Sequence, residues 1–207
     1  RVLEAAHDLG YVANLQARSL AGGKSNIIGV LVSHLDNGYI SSVCKGIDQA
    51  LAGAGYDLLL YTTHRKEGKE ARYVHTIANG LSDGLLLMVP SVTSTPSEAN
   101  YLKVLRQMNF PYVLIDQTDP DEQSTVVDST NWQGAFEATQ YLIELGHRRI
   151  GFMTGLMAIN SAIERLEGYK AALEANGFSF NADLIVEAGF QIEHGHRASG
   201  QLLDLDN

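Results

Sequence analysis

From position 27 onward the chain alternates short apolar runs with longer segments whose apolar residues recur at helical spacing. The apolar runs, read as strands, cover residues 27–33, 56–63, 83–89, 112–116, 125–128, 150–155 and 184–189. Several of them, IIGVLV foremost, are apolar throughout rather than alternating, as expected of strands covered by helices on both faces of a parallel sheet. Between them the spacing predicts helices over 39–54, 68–78, 97–108, 132–145, 161–175 and 193–203. Gly55, Gly80, Gly146 and Gly177 stand just past four of these helices, where the chain needs a left-handed residue. This rhythm predicts an α/β fold built on doubly wound parallel sheets, repeated as two lobes.

The polar stretch TDPDEQST (118–125) and the fresh strand–helix series beginning at STNWQGAF place the lobe boundary after Asp128. The first lobe is expected over 25–128 and the second over 129–207. Ligands of such sheets bind beyond the carboxyl ends of the strands, which face a shared cleft in a two-lobed form. The chain opens inside helix-like RVLEAAHDLGY without a start signal and stops at LLDLDN, where the second sheet has only begun. Both ends are therefore expected to be incomplete.

Charge divides the chain. Residues 1–24 carry Arg1, Arg18 and Lys24 against Glu4 and Asp8, and the remainder holds −10 of a total of −9. An acidic body of this kind does not coat nucleic acid along its whole surface, whereas the N-terminal arm is suited to a different partner. A single cysteine, Cys44, excludes an internal disulfide and fits a reducing cytoplasm. No apolar run reaches membrane-spanning length and no secretory pattern opens the sequence, so no membrane partner is expected.

The segment GGKS at 22–25 looks like the end of a phosphate loop, but the first glycine of that pattern would fall on Arg18, and a strand rather than a helix follows. His194 and His196 stand two apart, so on a helix they diverge, and no cysteine or carboxylate spacing completes a metal site. His147 belongs to a helix-ending LGHRRI turn, where capping is its role. No nucleophile–base constellation and no cofactor motif is visible, so neither an enzyme nor a cofactor is expected.

RVLEAAHDLGY, Asn14, Ala17-Arg18-Ser19-Leu20, GKSNIIGVLV, LDNGYI, IDQALAGAGYDLLL, DGLLLMV, PYVLID, NWQGAFEATQYLIELGHRRIGFMTG and ERLEGYKAAL follow one another in an order that resembles the lactose/galactose-repressor (LacI/GalR) family of bacterial transcription regulators. The resemblance covers essentially the whole chain. It implies a two-lobed body like that of periplasmic binding proteins, preceded by the remnant of a helical DNA-binding headpiece. Residues 1–13 would be the last helix of an incomplete helix-turn-helix, and 14–24 a hinge helix and linker. It further implies a cytoplasmic repressor acting as a homodimer on operator DNA, its affinity controlled by a small effector, a sugar or nucleoside. In the hinge, Leu20 matches a leucine that wedges into the minor groove, Ala17 would let two hinge helices approach, and Asn14 and Arg18 could meet phosphates. A plain flexible linker is the other reading of this stretch. Proline is usual in the family where Ala13 stands.

For the effector, the resemblance and the residues' chemistry single out six positions. Tyr39 takes the first aromatic place after the first strand, to meet a ligand face or simply to pack at a helix start. Asp116 and Gln117 end the fourth strand, where a carboxylate accepts hydroxyl protons or forms a turn. Arg165 matches a family arginine that reaches the ligand, with Asn160 as its polar neighbour. Phe190 takes the place of a family aromatic, for stacking, gating or core packing. Thr130-Asn131 stands where the family has Asp-Asn, which removes a carboxylate. The same two-lobed body also serves sugar-binding receptors of the transport type. The hinge segment and the missing secretory pattern favour the regulator.

Overall fold

The computed structural model describes residues 8–9, 23–36, 38–64, 66, 68–89, 96–117, 119 and 121–205, with side chains of the third helix described from 101 onward. The order is β1 (Ile27–Val32), α1 (Gly38–Gly53), β2 (Asp57–Thr62), α2 (Lys69–Ala78), β3 (Gly84–Met88), α3 (Pro96–Gln107), β4 (Tyr112–Ile115) and β5 (Val126–Val127). There follow α4 (Asn131–Glu144), β6 (Phe152–Thr154), α5 (Asn160–Ala175), a short 3-10 turn (Ala182–Leu184), β7 (Ile185–Glu187) and α6 (Ile192–Leu203). Every element expected from the apolar pattern is present, with ends displaced by a residue or two, as fraying termini allow.

One sheet runs in the order β2-β1-β3-β4-β5 and a second pairs β6 with β7. β1 runs parallel to both neighbours, with Val30 opposite Leu60 on one side and Leu86 on the other. Its central place explains its unbroken apolar sequence: Val30, Leu31 and Val32 are fully buried, together with Ile77, Leu87, Leu105 and Leu114. Gly29 makes room within it, since a Cβ there would lie 2.9 Å from Cγ2 of Ile77. Gly55, Gly80, Gly146 and Gly177 take φ of 76, 96, 96 and 75°, the left-handed exits their positions predicted.

By density of contacts the chain forms two compact units. One holds the described residues up to Met88 together with 97–113, and the other holds Val89, Pro96 and the described residues from Leu114 onward. The first unit is tied at the entrance to β1 by Asp83. Its Oδ1 accepts from the N–H and hydroxyl of Ser25 at 2.8 and 2.9 Å, and its Oδ2 from the N–H of Asn26 at 2.9 Å. Partial burial pushes the Asp83 pKa up, but the hydrogen bonds from Ser25 and Asn26 and the charge of Lys24 outweigh it, so the carboxyl is held below its ordinary value.

In the second unit Ile143, Ile150, Tyr169 and Leu173 form a buried core with Phe152, Leu166, Phe178 and Ile185 against it. The Tyr169 hydroxyl, whose pKa burial raises, donates to the carbonyl of Ile150 at 2.8 Å. α4 and α5 approach closely because Gly168 has no side chain: a Cβ there would lie 3.0 Å from the carbonyl carbon of Trp132 and 3.1 Å from the nitrogen of Phe136.

Candidate functional site

Where β4 ends, Asp116 turns the chain with φ of 49°. An aspartate tolerates this left-handed conformation better than most side chains. Its Oδ1 accepts from both the N–H (3.1 Å) and the hydroxyl (2.6 Å) of Ser129, the residue that leads into α4. The Ser129 carbonyl in turn accepts from the backbone N–H of Asn131 at 2.8 Å and from its Nδ2 at 3.3 Å.

Asn131 is the hub of the site, with a side chain buried to 7% exposure in the first turn of α4. Its Oδ1 accepts from Nε of Arg165 at 2.8 Å, and its Nδ2 donates to Oε2 of Glu164 at 3.1 Å. Oε1 of the same glutamate accepts from Nδ2 of Asn160 at 2.6 Å. Asp116, Ser129, Asn131, Arg165, Glu164 and Asn160 are thus one continuous chain of hydrogen bonds, built from the end of β4, the entry to α4 and the first turns of α5. The close approach at Gly168 brings the two helices near enough for the Asn131–Arg165 bond to form.

This chain borders a pocket of about 470 Å³ lined by Ser129, Thr130, Asn131, Gly134, Ala135, Phe152, Met153 and Arg165. Thr130 stands at the N-cap of α4 yet makes no side-chain capping bond, and the first turn of that helix holds no acidic residue. Phe152 and Met153 supply an apolar wall from β6. A fixed set of polar groups beside an apolar wall is the general make-up of a small-molecule site.

Of the six expected effector positions, the structure joins Asp116, Asn160 and Arg165 in this network. Asp116 turns the chain, as one of its two expected roles required, and its carboxylate is engaged by Ser129, which lines the pocket. Gln117, next in sequence, is buried to 5% exposure, and its Nε2 has no hydrogen-bond partner among the described residues. Phe190 follows β7, and its ring lies over Gly155: a Cβ on that glycine would come 2.6 Å from Cε1 of the ring. Tyr39 belongs to the first unit, at the start of α1, half exposed. Asn14, Ala17, Arg18 and Leu20, with most of the expected headpiece helix and hinge, lie outside the described residues.

Sequence reading alone missed the parts played by Ser129 and Glu164 and left Asn131 without one. Asn160 and Glu164 stand four apart, a spacing that places them on one helix face and could have signalled their bond. The Asn131–Arg165 contact bridges two helices and had no local signal.

Other residues fill structural positions. The helix-ending turn at 146–148 is closed by the backbone N–H of His147, which donates to the carbonyl of Leu142, and by the Arg148 guanidinium, which donates to that of Ile143. His194 packs on Gly189, whose φ is 114°. Burial pushes the Cys44 thiol pKa up. Among the described residues, no group of three or more His, Cys, Asp or Glu side chains could hold a metal ion, and no helix is long and apolar enough to cross a membrane.

Comparison with known proteins agrees with this architecture. The family described as periplasmic binding proteins and sugar binding domain of LacI family matches residues 25–206. The chain is 28% identical over 206 residues to the HTH-type transcriptional repressor PurR of Vibrio atlanticus (strain LGP32), covering all of this chain and 60% of that protein. It is 32% identical over 203 residues to the ribose operon repressor of Escherichia coli (strain K12), covering 98% of this chain and 60% of the relative. Among solved structures, the transcriptional regulator CelR in complex with cellobiose superposes with a TM-score of 0.75 at 29% identity, covering 98% of this chain and 60% of that one. The chain thus spans about 60% of the length of the curated relatives it matches. With its parallel sheets, its two units and this match across nearly all of its length, the chain belongs to the family of periplasmic binding proteins and LacI-type sugar-binding domains.

Proposed function

We propose that this chain is the effector-binding part of a DNA-binding transcriptional repressor, and that a small ligand, a sugar, binds in the pocket beside Asn131 and Arg165. The observation that carries the reading is the hydrogen-bonded chain from Asp116 to Asn160 around that pocket. A ligand held there contacts groups fixed by two helices and a strand end, so it can favour one conformational state over another. A preference of a few kcal/mol is enough to change operator affinity measurably. The repressors to which the chain is similar support this reading. The regulator would act in the cytoplasm as a homodimer, with Asn14, Ala17, Arg18 and Leu20 at the operator and Tyr39, Gln117 and Phe190 serving the ligand.

The ligand half is tested by thermal shift against a panel of sugars and nucleosides. A ligand that binds only the folded form raises Tm, by about 2.7 kcal/mol of added stability at a hundredfold excess over Kd. Arg165→Ala should abolish the shift; a shift that survives it refutes the pocket assignment. The DNA half is tested in a fusion that places a complete helix-turn-helix ahead of residue 1. Leu20→Ala should weaken operator binding and bending, and unchanged values remove the wedge.

A further inference from the structure

We infer that Asp83 is the positioning residue of the DNA-binding arm: its carboxylate fixes the direction in which residues 1–24 leave the first sheet. The inference rests on the proposed DNA half of the function and adds the contact that makes the arm's direction definite.

The backbone N–H groups of Ser25, Asn26 and Ile27 come before the point where β1 is paired on both sides. Backbone donors at such an entrance need partners from elsewhere. All three end on side chains. Ser25 donates to Oδ1 of Asp83 at 2.8 Å and Asn26 to Oδ2 at 2.9 Å, while Ile27 donates to the Ser25 hydroxyl oxygen at 3.2 Å. That hydroxyl donates in turn to Oδ1 of Asp83 at 2.9 Å. The adjacent carbonyls are taken by the neighbouring strands: that of Asn26 accepts from the N–H of Asp57 and that of Ile27 from the N–H of Asp83, both at 2.8 Å. Asn26 takes φ of 55°, a left-handed turn, and Ser25 is buried to 6% exposure between the exposed Lys24 and Asn26. The chain is gripped at one residue and turned at the next.

The place of this grip separates it from the rest of the fold. β1 is held along its length by β2 and β3 and by its buried apolar side chains. Among the described residues the Asp83 carboxylate bonds Ser25 and Asn26, on the side from which 1–24 arrive. Its hydrogen bonds are charge-assisted, and so stronger than neutral ones. Losing them leaves the β1 ladder in place and frees the direction of whatever precedes Ser25. A DNA-binding arm needs a fixed direction, because paired half-sites are read at one spacing along the duplex.

The grip is tested on the 207-residue chain by limited trypsin digestion at neutral pH, with the cut after Lys24 followed by mass spectrometry. The protease must draw Ser25 and Asn26 straight, so the grip protects this bond. Asp83→Asn should speed the cut by about tenfold or more, as expected for lost hydrogen bonds to a charged group. Ser25→Ala keeps both backbone bonds and should speed it less. Ile77→Val, in the core of the same unit, is the control: it should speed cutting at Lys45 in α1 but not at Lys24. Equal cutting at Lys24 in Asp83→Asn and Ile77→Val overturns the grip.

Positioning is read in the helix-turn-helix fusion, on operators built from two of its half-sites. One base pair inserted between them moves a half-site by about 3.4 Å and about a tenth of a turn. The wild-type fusion should bind the lengthened operator several-fold less tightly. Asp83→Asn should bind the original spacing more weakly and lose less on insertion, its penalty falling toward one. Lower stability alone weakens both operators equally. An unchanged penalty beside fast cutting at Lys24 overturns the positioning role and leaves the grip as a structural contact. A wild-type fusion that binds neither operator overturns the DNA half of the function and the positioning role with it, whatever the digestion shows.

Discussion

Replacing Gly168 with alanine probes the contact on which the whole site depends. At an open helical position this exchange stabilises by about 1 kcal/mol, since alanine is the better helix former. At Gly168 the new Cβ would lie 3.0 Å from the Trp132 carbonyl carbon, closer still to its oxygen, and 3.1 Å from the Phe136 nitrogen. Non-bonded carbons rest about 3.5–4.0 Å apart. The obstacles are backbone atoms, so α4 and α5 must separate by roughly half to one ångström. Overpacking of this kind costs about 1–3 kcal/mol, which offsets the propensity gain and leaves a net loss of up to roughly 2 kcal/mol. The same separation stretches the 2.8 Å bond from Arg165 to Asn131 out of range, so ligand affinity should fall with stability. The assay is urea unfolding followed by Trp132 fluorescence, which reports on α4. Gly200→Ala in α6 is the control, because nothing lies within 4 Å of a Cβ there. Equal stability of Gly168→Ala and Gly200→Ala would refute the close-approach argument.

The remaining expectations follow from the same geometry. Asn131→Asp keeps an acceptor for Arg165 but turns a carboxylate toward Glu164. It should cost about 2–4 kcal/mol at pH 7, by chemical denaturation, with the loss shrinking in acid; a neutral effect contradicts the hub role. Asp83→Asn should lose about 1.5 kcal/mol or more at neutral pH. Because the folded pKa of Asp83 is depressed, its contribution is complete above the unfolded value and fades as pH falls through the folded one. The gap to wild type should therefore narrow below about pH 4, and a gap constant to pH 2 contradicts this. Gly155→Ala places a methyl group against the Phe190 ring and should swing it away, altering ligand affinity while Tm falls by a few degrees; unchanged affinity removes Phe190 from the site. Cys44 should react with a thiol reagent at neutral pH more slowly than a free thiol, its rate rising only in alkali, since burial raises its pKa.

The wedge role proposed for Leu20 rests on ordered resemblance alone, because a short polar stretch ending in two glycines reads equally well as a linker. Arg165 was legible in the same way, but its partner was not. Asn131 sat in view beside a helix start, yet nothing in STNWQG says that its amide bridges two helices. Asp116 could be read as a turn former or as a cleft carboxylate; the structure shows a left-handed strand end whose carboxylate bonds Ser129 at the entry to α4.

What the sequence determined by itself was the set of elements and the way they alternate. Buried strands and amphipathic helices announce themselves through local periodicity, and glycines mark helix exits because few other residues tolerate positive φ. Tertiary structure alone decided which polar side chains meet. The Asn131–Arg165 and Asn131–Glu164 bonds link residues 34 and 33 positions apart, and they form because a missing side chain at Gly168 lets two helix backbones come close. That condition is a distance between surfaces, and no pattern within either segment encodes it.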